Sequence, residues 1–237
     1  MQKRILVLMT LLCFVQMPSF ADKAATQTIP KKQELQHFDT INLSGVGNLY
    51  IKQTDQENFT MEAEEALLPL ITVSVKDKTL YINVAEASKH LKAKINYYLN
   101  IKTVNNIRSS GLTHIFIPNG LETDTLSLMI SGLGSEADIN INVKQLTTKI
   151  EDGAKVVASG IANIQTVAIH GAGEFDGAKL VGDTATIAIS GSSIAKTNIS
   201  GKLSVNISGD GEVKYCGKPN ITQAISDNGK ISRLDGC

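Results

Sequence analysis

Apolar and polar residues alternate along most of this chain, and from Leu121 onward the alternation falls into a repeat. Each unit is a short alternating run that ends in an isoleucine and then a turn phrase. The phrase reads Ile-Ser-Gly-Leu-Gly from Ile130, Ile-Glu-Asp-Gly-Ala from Ile150 and Ile-His-Gly-Ala-Gly from Ile169. It continues as Ile-Ser-Gly-Ser-Ser from Ile189, Ile-Ser-Gly-Asp-Gly from Ile207 and Ile-Ser-Asp-Asn-Gly from Ile225. The steps between these isoleucines are 20, 19, 20, 18 and 18 residues. Gly132, Gly153, Gly171, Gly191, Gly209 and Gly229 mark the turns. A second apolar position follows six residues after the marker, at Val156, Phe175, Ala195, Val213 and Ile231. Further turns fall at Ser159-Gly160, Asp176-Gly177, Ser200-Gly201 and Cys216-Gly217.

A period near 20 with short strands and glycine turns predicts one coil of a β-solenoid per unit, an all-β parallel β-helix with coils of about 18–21 residues. Side chains alternate across a strand, so the marker isoleucines point inward together with Leu128, Val167, Ile187 and Val205, while Ser, Thr, Asn and Lys point out. Six stacked isoleucines make a ladder about 25 Å long at the strand spacing of roughly 4.8 Å. An antiparallel β-sandwich also alternates and also turns on glycine. It does not explain why one phrase returns at a nearly constant period.

Ahead of the repeat, residues 38–120 read as irregular N-terminal coils or a cap. Phe38 to Leu43 alternates as a half-buried strand, Ser44-Gly45-Val46-Gly47 turns the chain, and Leu49-Tyr50-Ile51 resumes it. Phe59, Met61 and Ala63 alternate as a further strand. Glu64 to Leu70 is a short helix limited by Pro69. Val73 and Val75 begin a hairpin through Lys76-Asp77-Lys78, and Leu80, Ile82 and Val84 return. Residues 85–94 form a loop, Ile95 to Ile101 a strand, and Ile115 to Ile117 a strand stopped by Pro118-Asn119-Gly120.

The first 21 residues read differently. Lys3 and Arg4 precede an apolar run from Ile5 to Met17, and Pro18-Ser19-Phe20-Ala21 fits a cut after Ala21. This is the pattern of a secretory signal peptide, and its apolar run is too short for a stable membrane anchor. Residues 22–37 are polar and predict a flexible mature N-terminus, followed by one solenoid domain over 38–237. The expected location is the periplasm, the outer surface or the medium.

Composition narrows the picture further. Aromatic residues are 5% and Trp is absent, so the core is built from Ile, Val, Leu and Ala. Lys plus Arg and Asp plus Glu are 23 each, and a zero net charge carries no electrostatic footprint for nucleic acid. Removing the leader removes Cys13 and leaves Cys216 and Cys237, about one coil apart in an oxidising compartment. Stacked coils bring such positions within the Cα range of a disulfide, and the two are expected to pair.

The opening Phe-Asp-x-Ile-x-Leu-Ser-Gly-x-Gly over Phe38–Gly47, the Ser-Gly-x-Gly turns and the hairpin return Thr79-Leu80-Tyr81-Ile82 together resemble the head GIN domain family, the auto-transporter adhesin domains. The resemblance covers Phe38 to Leu234. It implies an exported bacterial protein with a β-helical fold, and it brings no catalytic motif.

Candidate chemistry gathers at the turns. Glu136 and Asp138, Glu151 and Asp152, Glu174 and Asp176, and Asp210 and Glu212 could supply a calcium site or an acid–base pair acting on polysaccharide. Turn geometry and solvation account for the same residues more simply. His170 takes the position that Ser131, Ser190 and Ser208 hold in other units, without a paired nucleophile. His37, His90 and His114 lack metal-ligand spacing. No catalytic, cofactor-binding or metal-ligating residue is therefore assigned and no cofactor is expected. The reading is a non-enzymatic envelope-binding module, with a surface glycan or protein as partner. Its rivals are a polysaccharide-active enzyme, for which Asp152, Glu174 and Asp210 would have to converge, and a purely structural surface protein.

Overall fold

The structure, a computed structural model, describes residues 33–85 and 92–236. The expected leader, most of the expected loop over 85–94, and Cys237 lie outside the described residues. The chain is a parallel β-solenoid of about six turns. In chain order the strands are β1 Gln33–Glu34, β2 Thr40–Gln53, β3 Asn58–Glu62, β4 Ile71–Lys76, β5 Thr79–Val84, β6 Asn96–Ile101 and β7 Asn106–Ser131. They continue as β8 Glu136–Ile150, β9 Lys155–Gly171, β10 Glu174–Gly191, β11 Ile194–Ser208, β12 Glu212–Cys216, β13 Asn220–Ile225 and β14 Lys230–Arg233.

From β7 to β11 every neighbour pairs in parallel. The six marker isoleucines meet Cα to Cα in one unbroken register, from Ile130 and Ile150 through Ile169, Ile189 and Ile207 to Ile225. The first five of them are buried. A second inner ladder runs from Tyr97 through Leu49, Ile115, Ala137, Val156, Phe175, Ala195 and Val213 to Ile231. Each fully buried Ile, Val or Phe rung contributes about 1.5–3 kcal/mol by leaving water.

The turn glycines divide into separate columns. Gly132, Gly171, Gly191 and Gly209 stand two residues after their isoleucines with φ of 104°, 92°, 117° and 113°. Asp152 and Asp227 take this corner in the other two coils, in the left-handed region at φ 57° and 60°. Gly153 lies one residue past that corner. Gly229 belongs to another column, four residues after the marker, where Gly134, Ala154, Gly173, Ser193 and Gly211 also fall. That column stays small because a Cβ on Gly173, Gly211 or Gly229 would lie 2.4–2.7 Å from the Cγ2 methyl of a marker isoleucine.

Not every polar side chain expected outside lies there. Gln165 is buried in the ladder that otherwise holds Leu146, Ala185 and Leu203. Its amide donates to the carbonyls of Ala162 and Leu180 and accepts from Thr197 Oγ1, which satisfies it internally. Thr148 is also buried, among the column of Leu128 and Val167.

The N-terminal part forms a cap. β2 runs as one bent strand through Gly45 and Gly47, whose φ values are 120° and 135°. It pairs with β7 along one edge, and on the other with β5 and then β6. Those two strands form an incomplete first coil. Antiparallel strands close it: β4 pairs with β5 through a turn at Asp77 and Lys78, and β3 pairs with β6. The expected short helix is a 3-10 helix, Glu65–Leu70, and its Leu67 packs into the end of the core. Gln33–Glu34 lies within the N-terminus expected to be flexible, yet it bridges to β3. Pro118 does not end its strand. β7 continues around that corner, and the proline sits where the register with β8 shifts between Ile117 and Leu121, so its missing N–H costs no ladder bond.

The last coil ends the stack differently. β13 and β14 pair only with the coil beneath, and Ile221 and Ile225 remain 39% and 36% exposed.

Candidate binding faces

Several carboxylates at the turns have partners, some on the neighbouring coil and some two residues away on their own. Lys196 Nζ lies 2.8 Å from Asp176 and 3.4 Å from Glu174, and Lys155 Nζ lies 3.2 Å from Glu174. Lys149 meets Glu151 at 2.7 Å, Lys214 meets Glu212 at 3.4 Å, and Asn228 donates to Asp210 at 2.9 Å. Burial pushes the Asp176 carboxyl up. The Lys196 ammonium and the Ala178 N–H outweigh this, leaving Asp176 below its ordinary value. The same contact raises Lys196 against its own desolvation. Asp152, Glu174 and Asp210 sit on three different coils. Among the described residues no three His, Cys, Asp or Glu side chains are grouped to hold a metal ion. His170 is exposed at the corner and pairs in register with Ser190. Cys216 is buried at the end of β12, while its expected partner Cys237 lies outside the described residues.

One outward row stands apart chemically. Across β3, β6, β2 and β7 the register places Thr60, Tyr98, Tyr50 and Phe116 side by side. The Tyr98 and Tyr50 rings stack with centroids 5.3 Å apart and planes 16° apart, and Tyr50 and Phe116 at 4.8 Å and 8°. His114 tilts against Phe116 at 3.8 Å and closes that end. Burial lowers His114 from its ordinary value, while Glu136 and Asp138 pull it back up. At the other end Tyr98 is followed only by the short side chain of Thr60, and Tyr98 is 38% exposed.

Amides frame the rings on both sides. Asn48 donates to Asn96, and Asn96 donates to Glu62. Asn100 donates to Asn58 at 3.0 Å. The Tyr98 hydroxyl donates to Glu62 at 2.9 Å. Burial and this carboxylate both raise its pKa, so it remains a protonated donor at neutral pH. Stacked aromatics gain about 0.5–1.5 kcal/mol per pair beyond burial, which partly explains why the row exists.

A second surface lies further along the same coils, past the bend at Pro118 in β7. A shallow groove of about 400 Å³ is lined by Glu122, Thr123, Asp124, Asn142, Val143, Lys144 and Asn163. Beside it Ile161, Ile164 and Val181 are 48%, 48% and 51% exposed, and Ile161 and Val181 are direct register partners. Here the alternation reverses and apolar side chains point out. No helix among the described residues is long and apolar enough to cross a membrane.

These features define a β-solenoid whose chemistry is spread over outward faces. The chain belongs to the family described as "Putative auto-transporter adhesin, head GIN domain", whose model matches residues 37–219. No curated protein matches the sequence. Among solved structures it is similar to a putative adhesin from Bacteroides fragilis, with 24% identity, 87% of this chain and 96% of that chain covered, and a TM-score of 0.78. It is also similar to a putative adhesin from Parabacteroides distasonis, at 17% identity, 88% and 97% coverage and TM-score 0.69. A putative lipid binding protein from the same organism matches at 16% identity, 88% and 97% coverage and TM-score 0.70. At these identities the likeness is one of fold.

Proposed function

We propose that the protein is an exported, adhesin-like binding module of the cell envelope, which holds a surface ligand without transforming it. The observation that carries this reading is the outward row of Tyr98, Tyr50 and Phe116, half-buried except for the exposed Tyr98 and framed by amides. Tyrosines that present an apolar body and a polar tip are the usual anchors of recognition surfaces. The turn carboxylates support it from the other side, because lysines and an asparagine engage them. The family points to an envelope or extracellular location, in keeping with the expected leader.

The test is saturable binding of the labelled exported chain to isolated bacterial envelopes. Tyr50→Ser with Tyr98→Ser is expected to abolish that binding while the fold is retained. Binding that survives the double substitution would sink the reading. The exposed Ile161, Ile164 and Val181 beside the polar groove favour a second reading, an amphipathic lipid ligand. It predicts co-sedimentation with phosphatidylglycerol vesicles that Ile161→Asp removes.

A further inference from the structure

The geometry points to a neutral saccharide as the ligand of the aromatic row, seated on the outer face of Tyr98 above Thr60; this rests on the binding-module reading above. The row is closed at one end, where His114 covers Phe116, and ends at the other on Tyr98, whose register neighbour Thr60 is too short to cover a ring. A ligand ring continuing the stack would sit one strand spacing beyond Tyr98, where Tyr50 and Phe116 already repeat at 5.3 and 4.8 Å. The C–H face of a pyranose fits a tyrosine ring in this way. Its hydroxyls need both donors and acceptors at the margin, and the face supplies them. Glu62 flanks Thr60 on one side and accepts from Tyr98 and Asn96. On the other side Asn58 accepts from Asn100, which leaves the Asn58 NH2 and the Asn100 carbonyl to bond outward.

Charge selects within the class. Among the described side chains Glu62 is the carboxylate that flanks the seat, while Lys52 stands two strands from Asn58, beyond Asn100. An anionic sugar or phosphate would therefore meet repulsion, while a neutral glycan gains a strong acceptor for its hydroxyls. The amides and the phenol are already oriented by one another, so little side-chain freedom is lost on binding.

The experiment measures binding of the full exported chain to immobilised neutral oligosaccharides of glucose, mannose and xylose, with polygalacturonate and heparin as anionic probes and isolated envelopes in parallel. Tyr98→Ala removes the platform, and Thr60→Tyr places a ring where the ligand would stack, on a strand that accepts tyrosine well. Tyr81→Ala alters an exposed tyrosine off the row and is the control. The expected result is binding to at least one neutral glycan, weakened about tenfold or more by both row variants and unchanged by Tyr81→Ala, with every variant still folded by circular dichroism at the assay temperature. If envelope binding depends on Tyr98 but no neutral glycan binds, the saccharide assignment is overturned and the binding-module reading stands. Preference for the anionic probes, or glycan binding indifferent to Thr60→Tyr, also overturns it.

Discussion

Replacing Gly191 by alanine tests the stacked corner most directly. Its φ is +117°, and a Cβ there would lie 2.4 Å from the carbonyl oxygen of Gly171 and 3.1 Å from its carbonyl carbon. Both atoms are backbone, fixed by the β9–β10 register and by the bond from Ser192 N–H to the same oxygen at 2.9 Å. The corner can relax only by parting two coils. The left-handed backbone costs an L-residue about 1–2 kcal/mol. The overlap adds about 1–3 kcal/mol. The stiffer unfolded chain returns about 0.4–1 kcal/mol. The net expectation is a loss of about 2–4 kcal/mol, or roughly 4–16 °C in melting temperature for a chain of this size. Gly120→Ala is the matched control, because φ there is +87° and nothing lies within 4 Å of the added Cβ. It should lose only about 1 kcal/mol. Urea unfolding followed by circular dichroism compares the two, with midpoint and slope fitted separately because repeat arrays can lose cooperativity. A Gly191→Ala protein as stable as Gly120→Ala would refute the reasoning.

Three further outcomes are expected. Ile169→Ala, in the middle of the marker ladder and fully buried, should lose about 2–5 kcal/mol, measured by the same unfolding assay, whereas Ile225→Ala on the exposed last coil should lose much less. Lys196→Met should remove the acid sensitivity tied to Asp176. The depressed Asp176 contributes stability that is present above the ordinary carboxylate pKa and is lost as pH falls through its lowered folded value, so an acid titration of the variant should be flatter there than wild type. Cys216 and Cys237 are expected to form a disulfide in the exported protein, seen as the loss of two hydrogens by mass spectrometry without reductant, and its reduction should cost on the order of 3 kcal/mol of stability.

The regular coils were legible because one constraint recurs. A marker isoleucine buried beneath its predecessor must return at each turn, and local alternation then aligns Val156, Phe175, Ala195 and Val213 without further information. The corners were partly opaque. Asp152 and Asp227 adopt the left-handed conformation that glycine takes elsewhere, so a nearby glycine, Gly153 or Gly229, reads as the marker in those coils. Gln165 was hidden because its satisfaction depends on Leu180 and Thr197, which lie in later coils. The cap depends on pairings between distant segments, such as β3 with β6 and β2 with β5. The aromatic row was illegible for the same reason. Tyr50, Tyr98 and Phe116 share no local pattern, and only the cap's register assembles them. A clue existed in the scarcity of aromatics, since an unusual share of the rings falls at polar-phase positions before residue 120.

The unequal ends of the solenoid have a consequence for how the molecule is made. A chain synthesised from its N-terminus completes β2 to β6 before any regular coil exists, and those strands offer one edge, along β2, to the coils still to come. That edge is a template. β7 can dock on it as soon as it emerges, and every later coil finds the preceding one already in place, so each addition closes a loop of only about twenty residues whatever the final length. Growth by addition to a seed tolerates gain or loss of coils at the far end. It does not tolerate damage to the seed.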